Sequence, residues 1–174
     1  PVVILAARWT LSAEGRRYRT ETGADVALHW VGTPDHAPAT AENAAILQAG
    51  LAQTIIDIQK TGREVVLLGP ITEVGHDVPT SLARKALLGW TAAPRLTRAD
   101  FDQRAKRTET LLKSLADDYP GTRYLNLSGA FCGPVECTLV DPTGIPLYYD
   151  DDHLSFSAAK SILPAEFSKI WPLD

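Results

Sequence analysis

Methionine is missing from this chain altogether, cysteine appears only twice, and aromatic residues make up 7% of its 174 residues. No apolar run approaches the roughly 20 residues that a helix needs to cross a bilayer, so no membrane-spanning helix is expected within it. No long run of lysine and arginine occurs either, and the formal net charge is -4. Phosphate backbones are held by concentrated positive charge, which excludes nucleic acid as a partner. The opening residues carry no polar leader and no signal-peptide pattern. No Cys/His pair stands at ligand spacing near Cys132 and Cys137, which leaves a zinc site without support.

What is there suffices for a core: 45% of the residues are hydrophobic and 22% charged, the composition of one globular domain, expected here over residues 1–174. The chain opens directly on Val2-Val3-Ile4-Leu5-Ala6-Ala7, which reads as a buried strand. Native chains seldom begin inside a central strand, so a longer parent polypeptide is expected, with its targeting information upstream. Two more apolar runs, 64–69 and 123–127, alternate with helical patterns. That alternation is the signature of a parallel sheet covered by helices, the α/β class.

A helix is expected over 41–60, capped by Thr40 and stopped by Gly62, with Ala45, Ala49, Ala52 and Ile56 toward the sheet. A second follows Thr97, where Thr97-Arg98-Ala99-Asp100 resembles a capping box and Phe101, Ala105, Thr108, Leu112 and Leu115 recur at four-and-three spacing. Between them a short helix is expected near 80–88. The Arg-rich stretch 15–22 reads as a solvated loop or hairpin, with contact to an anionic glycan as the alternative. Asp141-Pro142-Thr143-Gly144 reads as a hairpin turn that delivers the chain to Asp150. Cys132 and Cys137 bracket Gly133-Pro134-Val135-Glu136, a turn-forming stretch that can bring the sulfurs into bonding range. A disulfide, which would place the domain outside the cytosol, and a pair of reduced structural thiols both stay open.

The chemically distinctive segment is Tyr149-Asp150-Asp151-Asp152-His153-Leu154-Ser155. A general base for acyl transfer needs an imidazole whose far nitrogen is held by a carboxylate, so that the near one can take a hydroxyl proton. His153 and Asp150 fit those two roles, and Ser155 fits the N-cap of a following helix. Asp-x-x-His alone is common by chance. The three aspartates also suit a hard cation such as calcium, but the cage of further oxygen ligands is not identifiable, so neither a metal nor a cofactor is assigned. Arg8 and Trp9 follow the first strand and Glu73 follows the second, at strand ends where α/β sheets form their crevice, and all three are candidates for substrate contact. The alternatives are a surface ion pair for Arg8, packing for Trp9, and loop shaping by Gly69 and Pro70 in place of a role for Glu73. His76, without a visible partner, reads as solvent-exposed, and His29 and His36 have no stronger claim. A substitute nucleophile at Ser155 or Ser128 is disfavoured by the capping role of Ser155.

In order and in content, Val3-Ile4-Leu5-Ala6-Ala7-Arg8-Trp9, Val66-Leu67-Leu68-Gly69-Pro70-Ile71-Thr72-Glu73-Val74-Gly75, Cys132 with Cys137, and Tyr149 to Ser155 resemble the SGNH domain fused to the C-terminus of acyltransferase-three membrane acyltransferases. The resemblance implies a flavodoxin-like three-layer parallel sheet and a Ser-Asp-His triad, with Asp150 and His153 in two of its roles. It further implies acyl transfer, acetyl foremost, to or from carbohydrate hydroxyls in the periplasm, with an acylated glycan or acyl donor and the parent's membrane domain as partners. SGNH domains carry the nucleophile in a Gly-Asp-Ser block after their first strand, and no such block occurs here. The chain is therefore expected to begin at the third strand of that fold, to hold only the Asp/His part, and to be inactive alone. Where the broader family often offers an Asn oxyanion donor, this chain reads Ala7-Arg8-Trp9, which leaves the oxyanion hole unassigned. The sheet edge left by missing strands invites self-association. A competing expectation is a non-catalytic glycan-binding domain in which Trp9, Tyr148 and Tyr149 stack on sugars.

Overall fold

Three short runs rich in branched side chains, Val2–Leu5 (β1), Glu64–Leu68 (β2) and Thr122–Leu125 (β3), pair in parallel in the order β1-β2-β3. Val3 lies opposite Val65, and Leu67 opposite Tyr124. The computed structural model describes residues 1–32, 40–89 and 95–171. Residues 65–68 of the central strand are buried without interruption, as a parallel strand covered on both faces requires. The first strand does not match its expected burial: Val2 and Ile4 are 37% and 47% exposed. With one hydrogen-bonded neighbour, β1 is an edge strand of this sheet, and alternate side chains face solvent.

The described chain divides into two compact units. One comprises Pro1–Arg17, Gly23–Pro70 and Arg104–Asn126; the other comprises Tyr18–Thr22, Ile71–Gln103 and Leu127–Asp174. In the first, Trp9 from helix α1 (Trp9–Glu14), Leu51 and Ile55 from α2 (Asn43–Gln59), and Leu111, Leu112 and Leu115 from α4 (Arg98–Asp118) close over Val65 and Leu67. Residues two apart on a strand share a face, so Val65 and Leu67 present one apolar surface to these helices.

Helix α2 differs from its expected form in two respects. A single 3-10 turn, Thr40–Glu42, precedes it, so Thr40 is not its cap. Its buried line runs through Leu51 and Ile55, while Ala45 and Ala49 are exposed. The larger aliphatic side chains gain more from burial than alanine, and they set the rotation of the helix. Asn43 is fully buried at its first turn, where Nδ2 donates to the Ser12 and Val26 carbonyls at 2.9 and 2.8 Å and Oδ1 accepts from Leu28 N–H at 3.0 Å. Helix α1 lay hidden in the sequence. Gly15, at φ 72°, ends it in the left-handed conformation that glycine adopts without penalty.

The second unit begins its ordered path beyond β2. Helix α3 (Val78–Leu88) has Asp77 as N-cap, accepting from Thr80 N–H at 2.7 Å, and Pro79 in its first turn. The start of α4 carries the expected reciprocal box: Thr97 Oγ1 accepts from Asp100 N–H at 3.0 Å, and Asp100 accepts from Thr97 N–H at 3.2 Å. Cys132 and Cys137 are joined in a disulfide. Its loop pairs with the approach to α4, Cys137 N–H donating to Leu96 O and Arg98 N–H to Val135 O, each at 2.8 Å. Arg19 of the Arg-rich stretch is exposed, as expected of a solvated loop, and is also bound to Asp100 at 2.7 Å and to the Arg95 carbonyl at 3.0 Å. The expected hairpin is reduced to a bridge between Val140 and Pro146 around a turn held by Asp141, whose side chain accepts from the N–H groups of Thr143 and Ile145. No described helix is long and apolar enough to cross a membrane. The architecture is α/β and flavodoxin-like with few strands.

The rotation of α2 is open to a direct check. Leu51→Ala is expected to lower stability by about 3 kcal/mol in urea denaturation. Ala49→Ser should stay within about 0.5 kcal/mol of the unmodified chain.

Candidate active site

Beyond the short helix α5 (Ser128–Phe131), helix α6 (Phe156–Ser168) opens with Ser155 as its cap, the hydroxyl accepting from Ala158 N–H at 3.3 Å and donating to the Pro146 carbonyl at 3.1 Å. Just before it the chain doubles back. Tyr148 and Leu154 face each other in an antiparallel bridge, and Tyr149 N–H donates to the His153 carbonyl at 2.8 Å. Asp150, Asp151 and Asp152 form the tip. One carboxylate organises it: Asp150 Oδ1 accepts from the N–H groups of Asp152 and His153 at 3.0 and 2.8 Å, and Oδ2 lies 2.8 Å from His153 Nδ1. With Nδ1–H donated to Asp150, Nε2 is the basic nitrogen of the ring. The imidazole is 70% exposed, so its chemistry is open to a reactant.

Burial pushes the Asp150 carboxyl up, but the N–H groups of Asp152 and His153, together with the bond and charge of the His153 ring, outweigh it and hold the group below its ordinary 3.8. The cap matters as well. A helix N-terminus disfavours imidazolium, and a carboxylate on Nδ1 counters that. Asp152 is nearly buried, with Oδ1 3.2 Å from the same nitrogen. Donor atoms of Asp150, Asp152 and His153 lie within 4.8 Å of one another, which among the described residues gives a hard cation three side-chain ligands. Both Asp150 oxygens already accept hydrogen bonds, so the arrangement orients an imidazole more directly than it cages an ion.

The turn rests on the loop after β2. Val74 N–H donates to the Asp151 carbonyl at 2.8 Å and Val78 N–H to that of Asp150 at 3.1 Å. The hydroxyls of Thr72 and Tyr148 hydrogen-bond to each other, both fully enclosed. Burial pushes the Tyr148 phenol up to about 12, with the Thr72 bond partly opposing it. Gly75, at φ 78°, lets the loop pass so close to Tyr18 that a Cβ would stand 2.8 Å from its carbonyl oxygen.

Several expected roles change once side chains are placed. Glu73, a candidate for substrate contact, is buried at 5% exposure in the same loop. Trp9 is a core residue whose indole donates to the Leu68 carbonyl at 3.0 Å; packing, not stacking on a sugar, accounts for it. Arg8 sits half-buried at the head of α1, its carbonyl accepting from Ser12 N–H at 3.2 Å. Tyr148 is 1% exposed and cannot offer a face to a ligand, whereas Tyr149 is 77% exposed. His76 is half-buried rather than solvated: burial, then the Arg19 charge, pull it below its ordinary value while Asp151 opposes. His29 is exposed, and His36 lies outside the described residues. The sequence does not bring Thr72 and Tyr148 together: Thr72 stands there only within a family motif, and Tyr148 as a candidate sugar platform.

A carboxylate fixing one nitrogen of an exposed imidazole, carried at a helix start on an α/β scaffold, has the geometry that the acid–base half of an ester-hydrolysis or acyl-transfer site requires. The family model for the SGNH domain fused to AT3 domains matches residues 1–165, and the chain belongs to that family. Its role is accordingly of the hydrolase or acyltransferase type. No curated protein and no solved structure matches it.

The electrostatics of Asp150 set a pH dependence. Its folded value lies below its unfolded one, so its contribution to stability is complete above 3.8 and fades as pH falls through the lower, folded value. Urea midpoints measured from about pH 6 down to about pH 2.5 should therefore fall less steeply for Asp150→Asn than for the unmodified chain.

Proposed function

We propose that this chain supplies the base of a serine-dependent acyl transfer to or from carbohydrate hydroxyls, acetyl being the group moved. The observation that carries this reading is the 2.8 Å contact between Asp150 Oδ2 and His153 Nδ1 at an exposed imidazole. His153 Nε2 takes the proton of a serine hydroxyl as that oxygen attacks the ester carbonyl. The imidazolium then returns the proton to the departing alcohol, leaving an acyl-serine. In the second half a sugar hydroxyl or water gives its proton to Nε2 and attacks that ester, and serine leaves with the proton. Asp150 holds the ring in the tautomer with Nδ1 protonated and stabilises the cation formed in each half. On this reading the nucleophile comes from another segment, which the lack of a Gly-Asp-Ser block within this sequence and the engagement of the Ser155 hydroxyl with the α6 cap and the Pro146 carbonyl support. The Cys132–Cys137 disulfide supports a periplasmic location, where a membrane acyltransferase domain of the same parent would be the neighbour.

The test uses hydrolysis of p-nitrophenyl acetate, by this chain and by its full-length parent. The chain alone should show no turnover above buffer. In the parent, His153→Ala should lower kcat about 10²- to 10⁴-fold. Equal rates for the chain and the parent, or a His153→Ala parent as fast as the original, would remove the proposal.

A further inference from the structure

The internal geometry of the Asp150–His153 pair is local, because Asp150 reaches the ring and both N–H groups within one four-residue turn. The placement of that turn is not. Contacts with the loop after β2 supply the placement, among them the bonds from Val74 and Val78 N–H to the carbonyls of Asp151 and Asp150, and the bond between the Thr72 and Tyr148 hydroxyls. The first two are backbone bonds that almost any residue would make. The third depends on two side chains.

A purely structural account of Thr72 and Tyr148 asks for no polar atoms. Thr72 is 0% and Tyr148 1% exposed, and the Tyr148 ring packs against Phe131 with centroids 6.4 Å apart. Valine and phenylalanine would fill the same volumes, and exchanging both partners of a buried hydrogen bond for apolar groups of the same shape is close to neutral for stability. What the apolar pair lacks is direction. A packed ring can slide or roll by a few tenths of an ångström, whereas a hydroxyl pair in an apolar surround fixes distance and angle. Tyr148 is also the residue bridged to Leu154, with Tyr149 bonded to His153 immediately above it. A displacement at the phenol is thus transmitted to both arms of the turn.

We infer that Thr72 and Tyr148 are positioning residues, their hydroxyl pair setting where the Asp150–His153 turn stands on the loop after β2. The inference rests on the acyl-transfer reading for its kinetic consequence, though not for its structural one. The double variant Thr72→Val with Tyr148→Phe should fold and melt within about 3 °C of the unmodified chain. By hydrogen exchange in this chain, the Val74 and Val78 amides should exchange at least tenfold faster, while the Asp152 and His153 amides, held by Asp150, keep their rates. In the full-length parent, ester cleavage should show kcat reduced at least tenfold with KM within twofold, and Thr72→Ser alone, which keeps the hydroxyl, should remain within threefold of the original. Unchanged Val74 and Val78 exchange, or a kcat for the double variant within twofold of the parent, overturns the positioning role. If His153→Ala leaves kcat intact, the acyl-transfer reading falls instead, and the exchange measurement still decides whether the hydroxyl pair anchors the turn.

Discussion

The turn that carries His153 depends on the Asp150 carboxylate being occupied on both oxygens. One oxygen gathers two backbone N–H groups and so makes the turn; the other holds the ring and so orients the imidazole. A carboxylate that served only the ring would leave the loop to wander. One that served only the backbone would leave the imidazole to choose its own tautomer. Combining the two duties in one side chain makes folding of the turn and orientation of the ring a single event, and it explains why so exposed a histidine can still be oriented.

The two units solve the burial of polar atoms in the same manner. In the sheet-bearing unit Asn43 is completely enclosed and spends its amide on three backbone groups from α1 and the segment that follows it. In the other unit Thr72 and Tyr148 enclose two hydroxyls that serve each other. Each joins segments distant in sequence, where an unbonded polar group would cost a few kcal/mol and thus discourages any other arrangement. The apolar core supplies cohesion; these enclosed polar groups select which of many similar packings is adopted.

Legibility followed the strength of the physical signal. The first two strands are legible because runs of branched side chains have few other uses, and the start of α4 because a reciprocal cap is a four-residue code. Asp150 and His153 were legible as a pair because their contact needs no long-range information. The face of α2 was misread because alanine occurs all around it, leaving Leu51 and Ile55 to be recognised by size rather than by period. Helix α1, at six residues, is too short to establish a period. Tyr148 and Tyr149 look equivalent as adjacent tyrosines; only the pairing of Tyr148 with Leu154 decides which is enclosed and which stands outside. Thr72 was illegible for the same reason, its partner lying 76 positions away.

The Cys132–Cys137 link closes a ring across a separation of only 5 positions. So small a ring removes little freedom from an unfolded chain, about 2 kcal/mol on the loop-entropy account. Its main effect is on shape. By pinching residues 133–136 into a tongue, it presents the backbone to which Leu96 and Arg98 are bonded, a ready-made template for the entrance to the longest described helix. With both cysteines themselves buried, the cross-link ties that template to the interior and acts as a mould for a helix end more than as a rivet for the fold.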